Sequence, residues 1–69
     1  MKIFSERLRE LRKESGLSQR AMAKILSIAQ PSYSRYELGT GEPSLETLAA
    51  VAKYFEVSSD YLLGADDFR

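Results

Sequence analysis

Residues 19–38, QRAMAKILSIAQPSYSRYEL, constrain the fold more than any other stretch of the chain. Two short apolar-periodic segments meet there across Ser27-Ile28-Ala29, and their apolar positions are Met22, Leu26, Ile28, Tyr33 and Tyr36. Met22 and Leu26 stand one helical turn apart, as do Tyr33 and Tyr36, so each segment carries one buried stripe. Ala23 lies beside the first stripe, and a side chain that small lets two short helices cross closely at a turn. The polar face of the second segment carries Gln30, Ser32, Ser34 and Arg35.

The flanking sequence is punctuated by helix starts and stops. Ser5 is expected to cap a first helix through Ser15, with Leu8 and Leu11 inward and Gly16 as its left-handed stop. Ser18 caps a second helix from Gln19 to about Leu26, and a third runs from about Gln30 to Leu38 and stops at Gly39. After the loop Thr40-Gly41-Glu42-Pro43, Ser44 caps a fourth helix over 45–55. Ser58 caps a short fifth over 59–63, with Asp60 in its first turn and Gly64 as its stop. Pro31 falls where its missing N–H breaks no helical bond. It pushes Gln30 toward extended geometry, making Gln30 the N-cap or the first helical residue. The tail 65–69 is expected to fray. No stretch alternates with period two, so residues 1–69 read as one all-α domain of five helices.

Composition narrows the chemistry. The chain has 69 residues, no cysteine and no histidine, which excludes disulfides, thiolate metal sites and a histidine general base. A domain of this size buries roughly 60% of its unfolded surface, so an apolar core must hold it. No Gly-rich phosphate loop or nucleophile–base pair occurs, and Asp60, Asp66 and Asp67 sit at a helix start and in the tail. The chain therefore reads as a non-enzyme with no cofactor and no metal. The start, MKIFSERLRE, is no signal peptide, and no apolar run reaches the ~18 residues of a membrane span. No membrane partner and a cytoplasmic location are expected.

Net charge is zero, yet the charge is segregated. Residues 1–36 hold eight basic side chains against three acidic ones, a balance of +5, and residues 37–69 carry −5. Such a dipolar domain can turn its positive half to phosphates and leave the negative half in solvent.

Two short helices at a tight turn, the second of them polar outside, form the layout of a helix-turn-helix. The second helix of that motif can lie in a DNA major groove. With Tyr33 and Tyr36 facing the core, Ser32 and Arg35 fall on a neighbouring outward face, with Gln30 and Ser34 at its edges. Gln pairs bidentately with adenine, and Arg with guanine O6 and N7. Gln19 and Arg20 open the second helix, whose free N–H groups suit a phosphate.

The strings RLRELRKESGLSQRAMAKIL and SRYELGTGEPSLETLAAVAKYFEVSSDYLLG resemble the lambda-repressor-like (Cro/CI, XRE-type) helix-turn-helix family from Phe4 to about Gly64. That resemblance implies a compact five-helix bundle in which helices 2 and 3 form the helix-turn-helix. It implies a prokaryotic or phage-encoded transcriptional regulator, a repressor, that binds double-stranded DNA as a homodimer on a pseudo-palindromic operator. Base contacts are implied for Gln30, Pro31, Ser32, Ser34 and Arg35, and a phosphate contact for Gln19. The Thr40 and Gly41 N–H groups are expected to offer further phosphate donors, and Arg12 and Glu37 to form a structural salt bridge.

Two departures from the family pattern stand out. Ser27 occupies a turn position that is usually glycine, at a cost on the order of 1 kcal/mol. Glu42 stands in a loop that is often basic, which predicts modest affinity. The expected dimer interface lies near the fifth helix, at Val57, Tyr61 and Phe68, because Phe55, Leu62 and Leu63 are needed inside. The competing reading is a protein-interaction or antitoxin-like module on the same fold, favoured by Glu42 and the neutral net charge.

Overall fold

Three serines set the starts of three helices in the computed structural model, which describes residues 1–69. Ser18 Oγ accepts from Ala21 N–H at 3.0 Å, Ser44 Oγ from Thr47 N–H at 3.1 Å and Ser58 Oγ from Tyr61 N–H at 3.0 Å. Each such cap contributes ~1 kcal/mol by satisfying a donor that the helix itself leaves free. The helices they open are α2 (Gln19–Ile25), α4 (Leu45–Phe55) and α5 (Ser59–Leu63), joined by α1 (Lys2–Glu14) and α3 (Gln30–Leu38). No strand is present.

The first helix starts earlier than its sequence suggests. Ser5 is not its cap but a buried residue inside it, and its hydroxyl donates to the Met1 carbonyl at 2.6 Å. Phe4 explains the difference. Its ring is 1% exposed and forms one stripe with Leu8 and Leu11, so packing draws the first turn into helix without a side-chain cap. Ser5 must also be small, because α3 ends against it: a Cβ on Gly39 would stand 3.3 Å from Ser5 Oγ.

One core joins all five helices. Phe4, Leu8 and Leu11 of α1 meet Met22 and Ala23 of α2, Tyr33 of α3, Leu48 and Val51 of α4, and Tyr61 and Leu62 of α5. Leu26, Ile28 and Tyr36 close its margin from the helix-turn-helix side. No buried side-chain nitrogen or oxygen lacks a partner. The helix ends are less uniform. Gly39 and Gly64 take the left-handed conformation at φ 81, but α4 stops on Glu56 at φ 55, a place where no glycine announces the turn.

The tail, expected to fray, folds back onto α1 in the structure. Ala65 and Asp66 N–H both donate to the Asp60 carbonyl, at 2.9 and 3.3 Å. Arg7 of α1 fastens this segment: its guanidinium donates to the carbonyls of Tyr61 and Asp66 and to Asp67 Oδ1, and lies 4.2 Å above the Tyr61 ring. Arg69 then forks onto Glu14 at 2.6 and 2.8 Å. Ile3, Arg7 and Glu14 share one face of α1, and the tail lies along it.

Candidate nucleic-acid interface

The turn between α2 and α3 is made by three backbone choices. Ser27 adopts φ 57, the left-handed value expected where relatives of this pattern carry glycine. Ile28 N–H then reaches the Ala23 carbonyl at 2.9 Å, which holds α3's entry close to α2, and Ala23 itself is buried in the core. Ala29 is the extended N-cap residue, at ψ 143, and Gln30 is the first helical residue. Pro31 thus does not push Gln30 out of the helix. The Ala29 carbonyl accepts from both Ser32 and Tyr33 N–H, which holds the first turn in helical geometry around the proline.

On α3, Tyr33 and Glu37 point inward and are 0% and 4% exposed. Gln30, Pro31 and Arg35 are exposed, whereas Ser32 and Ser34 are half-buried. The outward ridge therefore runs Pro31, Arg35, Leu38, at the i, i+4, i+7 spacing, and not through Ser32. Leu38, at 72% exposed, is a member of this face that the sequence did not bring forward. A leucine reads as core by default; its seven-residue offset from Pro31 was the available signal.

Behind that ridge lies a buried polar hub centred on Glu37. Arg12 Nε donates to Glu37 Oε2 at 2.5 Å and its Nη2 to Oε1 at 3.0 Å, while Nη1 reaches the Leu17 carbonyl at 2.9 Å. The Tyr33 hydroxyl donates to Oε2 at 2.5 Å and Gln19 Nε2 to Oε1 at 3.1 Å. Burial opposes ionisation of Glu37, but the hydrogen bonds from Arg12, Tyr33 and Gln19 outweigh it and hold the carboxyl below its ordinary range. Burial and the carboxylate beside it push the Tyr33 phenol well up, so it stays a neutral donor. Arg12 and Glu37 were legible as a pair; the parts played by Tyr33 and Gln19 were not. Both belong to one hub that ties α1, α2 and α3 together.

The expected phosphate contacts divide. Arg20 is exposed and makes no ion pair. Gln19 is half-buried and one amide proton is committed to Glu37. Thr40 and Gly41 N–H are not free, as both donate to the Arg35 carbonyl, at 3.1 and 3.3 Å, where they close the C-terminus of α3. Gly41 acts differently from expectation: a Cβ there would lie 3.2 Å from Arg35 Cβ and 3.4 Å from the Tyr36 ring. Its bareness lets the loop press against the residue that carries Arg35.

Two of the three expected interface residues are in the core. Val57 is 9% and Tyr61 7% exposed, because Val57 closes the α4–α5 corner and Tyr61 is covered by Arg7 and the tail; Phe68 remains outside at 81%. Leu63, assigned to the core from sequence, is exposed instead. Exposed apolar surface gathers elsewhere, where Ile25 and Tyr54 border a groove of about 480 Å³ between α2 and α4. No three acidic side chains converge to hold a metal ion, and no helix is long and apolar enough to cross a membrane.

A helix-turn-helix is the class that this turn, this exposed α3 ridge and its braced underside define. A helix-turn-helix family model matches residues 8–62, and the chain belongs to that family, in its lambda-repressor-like form. The uncharacterized HTH-type transcriptional regulator YqaE of Bacillus subtilis is 46% identical over 61 residues, which is 88% of this chain and 53% of that protein. The cryptic phage CTXphi transcriptional repressor RstR of Vibrio cholerae is 42% identical over 64 residues, 93% of this chain and 56% of that one. Among solved structures, the P22 c2 repressor in complex with a synthetic operator superposes with a TM-score of 0.84 at 35% identity, covering 91% of this chain and 96% of that one. The chain spans about half the length of the curated relatives it matches.

Proposed function

We propose that the chain binds double-stranded DNA sequence-specifically and regulates transcription, as a repressor acting in the cytoplasm of a bacterial cell. The observation that carries this reading is the exposed ridge of α3, with Gln30, Pro31 and Arg35 outward and Glu37 anchored beneath them. A recognition helix must be rigid and still present its polar side chains, and the hub supplies the rigidity. Arg35 and Gln30 are exposed and carry the groups that pair with guanine and adenine edges, with Pro31 beside them; Ser32 and Ser34, half-buried, suit phosphate or water-mediated contacts. Arg20 and Gln19 flank the ridge as phosphate contacts, with the exposed Thr40 serving through its hydroxyl.

Size supports a pair of copies. The longest extent of the molecule is 28 Å, less than the ~34 Å that separates half-sites one turn apart, so one copy reads one half-site. The homodimer forms on the operator, through surface other than Val57 and Tyr61, with Phe68 available.

Selection of bound duplexes from a random pool tests the reading. The expected result is a pseudo-palindrome whose affinity falls steeply with salt. No enrichment, together with no salt-dependent binding of random duplex, overturns it and leaves the protein-interaction module that Glu42 and the committed Thr40 and Gly41 N–H groups favour.

A further inference from the structure

The fold places one more set of cations beside the α3 ridge. The N-terminal amine donates to the Gly39 carbonyl at 3.3 Å, so α1 begins where α3 ends. Between them opens a cleft of about 370 Å³ lined in part by Lys2, Glu6, Arg9 and Leu38. Lys2 and Arg9 are exposed and make no ion pair, in contrast to Arg7 and Arg12 of the same helix. The face of α1 that carries Arg7 and Glu14 is covered by the tail. The face with Lys2 and Arg9 is left open, and its margin is the exposed Leu38.

We infer that Lys2 and Arg9 form a second DNA-backbone contact that extends the footprint past the C-terminal end of α3. The inference rests on the DNA-binding reading above. Lys2 and Arg9 are seven residues apart, about two helical turns and roughly 10 Å along the axis. Successive phosphates of one strand rise ~3.4 Å each along the DNA axis and also turn about it, so they stand farther apart than that rise and this span bridges two of them, one for each cation. With α3 in the major groove, the strand that borders its C-terminal end passes the mouth of this cleft. The contact carries no base information, since it reaches only phosphate oxygens. Glu6, exposed between the two cations, opposes it; Glu37 in the cleft floor is neutralised by Arg12.

The test uses the full chain with Lys2→Gln and Arg9→Gln together, Glu6→Gln, and Lys53→Gln as a cation removed from α4. Binding is titrated from low to moderate salt on a selected operator, its single-base variants and random duplex. The double variant should flatten the slope of log K against log salt by about 1.8, at about 0.9 for each phosphate no longer neutralised. Its ranking of the single-base variants should not change. Glu6→Gln should tighten operator and random duplex by the same factor, and Lys53→Gln should leave the slope in place. A double variant with the wild-type slope, or one matched by Lys53→Gln, overturns the inference while the wild type still binds. A wild-type chain that binds no duplex at any salt overturns the DNA-binding reading as well.

Discussion

Arg35 and Arg20 carry the same charge and are expected to fail differently. Arg35 stands on the outward ridge of α3, pressed from behind by the Gly41 loop, and is the side chain proposed to read a base edge. Arg35→Ala should lose discrimination at one base pair of each half-site, by ~1–3 kcal/mol, with random-duplex affinity changed less. Arg20→Ala should weaken all duplexes alike and flatten the salt slope by roughly one unit. If Arg35→Ala also loses affinity uniformly, Arg35 is a phosphate clamp. The hub gives a second contrast. Removing Arg12 leaves Glu37 buried without its counter-ion, so Arg12→Met should cost about 3 kcal/mol, and the Arg12→Met/Glu37→Met pair less than either single change. Equal melting temperatures for all three variants would sink that account. The pH response has a definite sign. Glu37 ionises more readily folded than unfolded, so its stabilisation is present above its unfolded value near 4.5 and is lost as pH falls through the lower folded value. Acid titration should show a shallower loss of stability in Glu37→Gln than in the wild type. Arg12 and Glu37 were readable from the sequence because a family pattern pairs them. Tyr33 and Gln19 were hidden, since a tyrosine on an apolar stripe and a glutamine at a helix start each have a sufficient local explanation.

Helix boundaries show which signals are local and which are not. Ser18, Ser44 and Ser58 cap as expected, because a capping hydroxyl needs only the three residues after it. Ser5 does not, because its fate depends on Phe4 finding a core built from four other helices. The fourth helix stops after Phe55, as expected, but the left-handed turn at Glu56 has no local signal: the chain turns there because Val57 must be buried, not because Glu prefers the left-handed region. Ser27 and Glu56 therefore mark two turns held by tertiary packing against local preference. Ser27→Gly and Glu56→Gly should each raise stability by about 1 kcal/mol, which for a domain of this size is roughly 4–8 °C in Tm. Thermal unfolding by circular dichroism checks this, and an unchanged or lowered Tm in both would mean the serine and glutamate side chains contribute more than the backbone strain removes.

At the scale of the molecule, the charge segregation visible in the sequence becomes an orientation. Lys2, Arg9, Arg20 and Arg35 are left without ion pairs, while Arg7, Arg12 and Arg69 are drawn into the fold's own carboxylates. Which cations stay free is a property of the packed helices, so no count of lysines and arginines along the chain could have separated them. The exposure of Tyr61 was misjudged on the same ground, as it is covered by Arg7 of α1 and by the tail that folds back over it. That folded-back tail also fixes how anything attached to it behaves. A fluorophore placed after Arg69 starts beside Glu14 at the far end of α1 from the Gly39 contact, and it is carried on a strap of ion pairs instead of a loose thread. Its anisotropy should report the tumbling of the whole domain at low salt and drop toward that of a free peptide in Arg7→Ala. An anisotropy held at the whole-domain value would make Arg69 a rigid handle, from which any cargo takes a fixed bearing relative to the helix proposed to enter the groove.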